Sequence, residues 1–282
     1  MIFLSIQSHV AYGHVGNSGA VFPLQRIGVE VWPVHTVQFS NHPGYGSYRG
    51  EVFRADLIRD VVQGIEERGV LAECDGILSG YMGSVEIGEA IIDAVTLVKG
   101  ANPAARYCCD PIIGDVEQGV FVCEGLPEFI RDVAVPNADI ITPNRFELDH
   151  LTGRNDSSLS SALRAIDALH ERGPGIVMVT SYDGDDTPRE CMDVLVSDGS
   201  ERLRLRTSKL VAAVNGAGDV IAALFTAHYL RSTSLAEAVS WATSSVHGVI
   251  SRSAEMGSRE MLVVDAQDEF VQPSCLFKPV RI

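Results

Sequence analysis

An alternation constrains this chain more than any other feature: short β-rich runs trade places with amphipathic stretches nearly from end to end. Residues 2–6, 30–39, 75–79, 106–109, 139–142 and 176–180 read as strands, and several are apolar throughout, as strands buried on both faces of a parallel sheet are. Residues 54–68, 85–98 and 159–172 carry helical spacing, the last preceded by serines able to cap it. Residues 192–196 and 202–207 alternate around Ser197-Asp-Gly-Ser200, which predicts an antiparallel hairpin at one sheet edge. Helices over 220–230 and 235–250 follow. Neither a repeat nor a linker interrupts the series, and 282 residues suffice for one large core. The pattern predicts a single α/β domain over residues 1–282, doubly wound, with a mostly parallel central sheet flanked by helices. Ligands of such sheets bind in the crevice outside the carboxyl ends of the strands.

Charge narrows the partners. With 22 Lys and Arg against 37 Asp and Glu, the formal charge of −15 repels polyphosphates and anionic membranes, so neither nucleic acid nor a membrane is an expected partner. An anionic substrate must then be neutralised locally, by metal ions or backbone amides. Six cysteines without a C-x-x-C pair predict reduced thiols in a cytosol. The start, Met1 to Ile6, lacks a basic leader and turns polar at Gln7, and no apolar run reaches membrane-spanning length. The expected location is cytoplasmic.

The sharpest local signal is Asn215-Gly-Ala-Gly-Asp219, which opens a helix apolar on nearly every side. Successive glycines let N–H groups converge, and the helix adds its positive dipole end, so Gly216, Ala217 and Gly218 make an anion hole. Asp219 reads about equally as an N-terminal cap or as a functional acid. A P-loop is excluded, because Lys99, Lys209 and Lys278 are the only lysines and none follows a glycine.

Acids stand at other strand ends. Asp110 closes the run Tyr107-Cys-Cys, and Thr142-Pro-Asn-Arg-Phe-Glu147 follows Ile140 and Ile141. Asn144 and Glu147 have capping-box spacing, with Leu148 and Leu151 as a short helix's apolar side. Asp110 and Glu147 also suit Mg²⁺, directly or through water. His9 and His14 read as structural residues, whereas Ser8 stands where a hydroxyl can orient a small polar ligand. The loop from Ser40 to Gly50 combines glycines and tyrosines, as a mobile cover over an aromatic substrate or a plain surface loop does.

Together these stretches resemble the pyridoxal kinases of the ribokinase-like superfamily. The resemblance rests on Ser5 to Asn17 with Val37 to His42, on Leu78-Ser-Gly-Tyr-Met-Gly-Ser84, on Cys109 to Gly114 with Ile140 to Leu148, and on Gly216-Ala-Gly-Asp219. It implies that Asp219 is the catalytic base beside the amide hole of residues 216–218. Ser8, Val15, Val37, Phe39 and Tyr81 look like the pyridine pocket, with Pro43 where a threonine is usual. Asp110, Asn144, Glu147, Thr180 and Ser181, with Lys209, Leu210 and Val211, look like the ATP site, and Asp110, Thr142 and Glu147 like the metal positions. The resemblance further implies ATP-dependent phosphorylation of the 5′-hydroxymethyl group of pyridoxal, pyridoxine and pyridoxamine, with Mg²⁺, a monovalent cation such as K⁺, and a homodimer. The rivals are a hydroxymethylpyrimidine kinase and a low-turnover vitamer carrier or sensor, the latter kept alive by Pro43 and Asn215.

Overall fold

The computed structural model describes residues 1–154, 157–210 and 214–282. In chain order its elements are β1 (Ile2–Tyr12), α1 (Asn17–Arg26), β2 (Glu30–Asn41), β3 (Gly50–Val52), α2 (Ala55–Glu66), β4 (Gly76–Ser79), α3 (Val85–Ala101), β5 (Arg106–Cys109), β6 (Gly114–Asp115), β7 (Gly119–Val120), α4 (Leu126–Phe129), α5 (Val135–Asn137), β8 (Ile140–Ile141), α6 (Arg145–Thr152), α7 (Leu159–His170), β9 (Ile176–Tyr182), β10 (Cys191–Ser197), β11 (Arg202–Ser208), α8 (Ala217–Ser232), α9 (Leu235–Glu255) and β12 (Val280–Arg281). A wide turn over Ile130–Ala134 joins α4 to α5.

Ten strands form one sheet in the order β12-β11-β10-β9-β8-β5-β4-β1-β2-β3. From β2 to β9 every pairing is parallel. At one end β3 adds antiparallel, and at the other β10, β11 and β12 do so. The hairpin read from Ser197-Asp-Gly-Ser200 therefore exists, but β12 lies outside it and takes the edge position.

Alternation across each strand explains why these runs are apolar throughout. Tyr107 and Cys109 of β5, Ile141 of β8, and Val177 and Val179 of β9 enter one buried cluster with α2, α3, α6 and α7. Their neighbours Cys108, Ile140, Ile176 and Met178 enter a second cluster on the opposite face, with α1, α8 and α9. Successive side chains point to opposite faces, so a strand covered on both sides has no polar position to show.

The chain order fixes where a ligand fits. β1 is followed by its neighbour β2 on one side, and β4 then pairs with β1 on the other. That reversal opens a crevice at the carboxyl ends of β1 and β4, the topological switch point of a doubly wound sheet.

Candidate active site

α8 carries the centre of this crevice. Every residue from Asp219 to Ala227 is buried, so the helix is held by apolar contact on all sides rather than along one stripe. Its N-cap is Gly216, at φ 89°, a left-handed conformation that favours glycine, and a Cβ there would collide with the His14 carbonyl oxygen. Asp219 consequently sits in the first turn of the helix and is not its N-cap residue. The first amides of a helix lack intrahelical acceptors, so those following Gly216 are available to an anion.

Asp219 is 8% exposed, and its Oδ1 is buried without a hydrogen-bond partner. Burial pushes its carboxyl up to about 6, opposed by hydrogen bonds from the Gly16 amide and from its own N–H. A Cβ on Gly80, just past β4, would stand 2.6 Å from Gln7 Oε1 and 3.5 Å from Asp219 Oδ1. Gly80 thus lets the main chain pass close to Gln7 Oε1 and Asp219 Oδ1, where a larger side chain would not fit. An orphaned buried oxygen is costly, and a ligand hydroxyl is the group that relieves it while leaving a proton acceptor in place.

Two further acids stand beyond α8. Asp110 follows β5, and its Oδ1 accepts the Thr142 hydroxyl at 2.9 Å. Burial raises its pKa well above the usual carboxylate range, the charges of Glu147 and Asp219 raise it further, and Thr142 opposes them. Glu147 opens α6 through the capping box read from sequence: the Asn144 side chain accepts its N–H at 2.9 Å, and Glu147 Oε2 accepts the Asn144 N–H at 2.8 Å. Its Oε1 accepts the Ile113 amide at 3.0 Å. Burial raises Glu147 to about 7 against these backbone hydrogen bonds.

Among the described residues no group of three His, Cys, Asp or Glu side chains is close enough to hold a metal. Asp110, Thr142 and Glu147 therefore offer only part of a shell. Asp110, which the charges of Glu147 and Asp219 both push up, nonetheless fits beside a divalent cation whose other ligands are phosphate oxygens and water.

The expected pyridine pocket gathers in large part, with Val15 backing onto Gly216. Val15, Val37 and Phe39 form a small apolar cluster with Val10, apart from the two main cores, and Tyr81 packs against it. Ser8 lies where the register between β1 and β2 skips, between Gln7 and His9, and is 8% exposed. Pro43 is not in that cluster. It starts a 3-10 turn over Pro43–Tyr45, exposed, with the His42 ring accepting the Gly44 amide at 3.2 Å. A missing N–H is harmless at the first position of such a turn.

The expected nucleotide residues are more spread. Thr180 is buried within β9 and bridges Asn144 backbone to backbone. Asn144 is committed to structure, its amide group donating to the Gly114 carbonyl at 2.9 Å. Ser181 is exposed and held at φ 52°. Lys209 is exposed and lines an open cleft of about 540 Å³ with Asp185, Thr187 and Arg189. Leu210 is half-buried, and Val211 lies outside the described residues.

Comparison with known proteins follows this geometry. The sequence model of the phosphomethylpyrimidine kinase family matches residues 61–264. Over 281 residues the chain is 53% identical to the pyridoxal kinase of Granulibacter bethesdensis, covering 98% of each. Over 282 residues it is 48% identical to the pyridoxal kinase of Leifsonia xyli, covering 100% of each. It superposes with a TM-score of 0.92, at 29% identity, on pyridoxal kinase from Leishmania donovani in complex with ADP and pyridoxamine, covering 100% of this chain and 99% of that one. The same enzyme in complex with ADP and pyridoxine gives 0.93. The family match begins after Ser8, Val15, Val37 and Phe39, whereas the full-length relatives extend over that part of the chain as well.

Proposed function

The chain belongs to the phosphomethylpyrimidine kinase family and within it to the pyridoxal kinases, and from that premise we propose how its residues transfer phosphate from ATP to the 5′-hydroxymethyl group of pyridoxal, pyridoxine and pyridoxamine. One domain over residues 1–282 does this work. The vitamer's ring rests on Val15, Val37, Phe39 and Tyr81, with Ser8 and residue 43 at its polar edge. Its hydroxymethyl group donates to the unpartnered Asp219 Oδ1.

As the alcohol oxygen bonds to the γ-phosphorus, the bond from phosphorus to the β,γ-bridging oxygen breaks, ADP leaves with that electron pair, and Asp219 takes the hydroxyl proton. Phosphoryl transfer is loose, so alignment and charge neutralisation carry most of the acceleration. Amides at residues 216–218 face the transferring group. Asp219, at about 6, is ionised at neutral pH yet basic enough to accept the proton as it is released. Mg²⁺, when bound near Asp110, Thr142 and Glu147, supplies the positive charge that an acidic protein lacking a P-loop lysine cannot. Thr180, Ser181, Asn144 and the stretch from Lys209 to Val211 border the nucleotide. A monovalent cation, a homodimer and a cytoplasmic location complete the reading. Among the described residues no helix is long and apolar enough to cross a membrane.

The observation that carries the proposal is the buried, unpartnered Asp219 Oδ1 at the amino end of α8. Its test is ADP release measured with pyridoxal, pyridoxine, pyridoxamine and hydroxymethylpyrimidine in turn. Turnover with the vitamers is expected. A preference for the pyrimidine, or vitamer binding without turnover, refutes it.

A further inference from the structure

Glu260 lies on the segment after α9, in a stretch with no regular secondary structure, and it is 9% exposed. Its side chain joins parts of the molecule far apart in sequence. Oε1 accepts the Tyr45 hydroxyl, and Oε2 accepts the His14 amide at 3.2 Å. Its backbone pairs in parallel with Asn215, the residue before Gly216. The neighbouring Arg259 places its guanidinium 4.8 Å from the centre of the Tyr45 ring.

Each of these contacts leads into the crevice. Tyr45 belongs to the loop between β2 and β3, and Tyr48 of that loop lies with its ring 4.6 Å from that of Phe39. His14 precedes Val15 of the apolar cluster and Gly16, whose amide donates to Asp219. Asn215 leads into the anion hole. The Glu260 carboxylate rests so closely on Gly13, at φ 100°, that a Cβ there would collide with it. Main-chain shape has been given over to this approach.

We propose that Glu260 is a positioning residue for the vitamer: its carboxylate latches the cover loop, through Tyr45, to the His14 to Gly16 loop, while its backbone bridges Asn215 just before the anion hole. The inference rests on the pyridoxal kinase reading and adds to it a residue that never touches substrate. The hydroxyl of Tyr45 stays protonated in the latch, because the hydrogen bond to Glu260 pushes it up to about 12. The latch thereby holds the cover in place over the vitamer pocket. A loop free to open must be ordered anew by each vitamer, which weakens vitamer binding and leaves ATP alone.

The test compares the full chain with Tyr45→Phe, Glu260→Gln and the double variant. Tyr45→Phe keeps the ring under Arg259 and removes only the hydroxyl. Losing one hydrogen bond to a charged acceptor at a half-exposed site is expected to raise KM for pyridoxal about three- to tenfold, with kcat within about twofold and KM for ATP unchanged. The double variant should be no worse than the worse single one, because both weaken the same link: a carboxamide at 260 keeps one acceptor oxygen but loses the charge that holds the Tyr45 hydroxyl and the His14 amide together. Amide hydrogen exchange over residues 44–48 should quicken in both single variants. An active parent whose variants keep the same KM for pyridoxal overturns the latch, as does an equal rise in KM for ATP. If the parent phosphorylates no vitamer, the functional reading fails, and hydrogen exchange alone then decides whether the latch exists.

Discussion

Replacing Glu147 by Gln separates two roles that its position combines. The carboxylate accepts the Ile113 and Asn144 amides on different oxygens. A carboxamide keeps one acceptor oxygen and presents an NH₂ in place of the other, so one amide is left facing a donor. An orphaned buried N–H costs about 1–3 kcal/mol. An unfolding entropy of about 2.1 cal/mol/K per residue gives about 0.6 kcal/mol/K for 282 residues, so Tm should fall by about 2–5 °C. The melt is read at pH 8, where a carboxyl raised to about 7 is ionised. Removing that buried charge trims the loss and makes the upper figure a bound. If Glu147 also faces the metal, half-saturating Mg²⁺ for activity at fixed ATP should rise about tenfold or more, as loss of a supporting metal contact does. An unchanged half-saturation accompanied only by a lower Tm refutes the metal role and leaves Glu147 a cap.

Two further outcomes follow from the same geometry. With Asp219 at about 6, kcat/KM for pyridoxal should fall on an acid limb below about pH 6. The same raised pKa means that the folded state holds this proton more tightly than the unfolded one, so the stability it contributes is present below about pH 4 and lost as pH rises through about 6. A flat rate profile from pH 5 to 8 would remove Asp219 from the proton transfer. Pro43→Thr should lower KM for pyridoxal several-fold, up to about tenfold, by adding a hydroxyl worth about 0.5–1.5 kcal/mol at the ring's polar edge. Identical KM values for every vitamer would move residue 43 out of the pocket, in keeping with its exposure.

Much of this architecture was legible because it is local. A strand covered on both faces must be apolar throughout, and Ile176 to Val179 or Tyr107 to Cys109 can be little else. The capping box at Asn144 and Glu147 is a three-residue device and forms as read. Legibility fails where distant partners decide. β1 runs on to Tyr12 through polar residues because β2 pairs with it as far as Asn41. β8 shrinks to Ile140–Ile141 where a longer strand was expected, and the Asp139 carboxylate before it turns sideways to accept the Tyr107 amide at 2.8 Å. α1 was hidden within a glycine-rich stretch and contains Pro23. Asn17 at its start is buried, its amide group bonding the Val34 carbonyl at 3.0 Å, a contact no local pattern announces.

The candidate site divides in the same way. Gly216-Ala-Gly-Asp219 announces a helix start, yet whether Asp219 caps that helix depends on where the first turn begins, and the left-handed Gly216 decides it. The apolar cluster of Val15, Val37 and Phe39 joins residues from two segments, so the family resemblance pointed to it where periodicity could not. Glu260 lay beyond any signal, because its meaning is its contact with Tyr45, 215 residues away.

The central claim is that Asp219 accepts the hydroxyl proton, and Asp219→Asn tests it most directly. Asparagine keeps the shape and removes the acceptor charge. Single-turnover and steady-state rates with pyridoxal and ATP, together with direct binding of each substrate, should show kcat lower by about 10²-fold or more with both affinities retained. A variant that binds both substrates and turns over at a near-normal kcat would contradict the account.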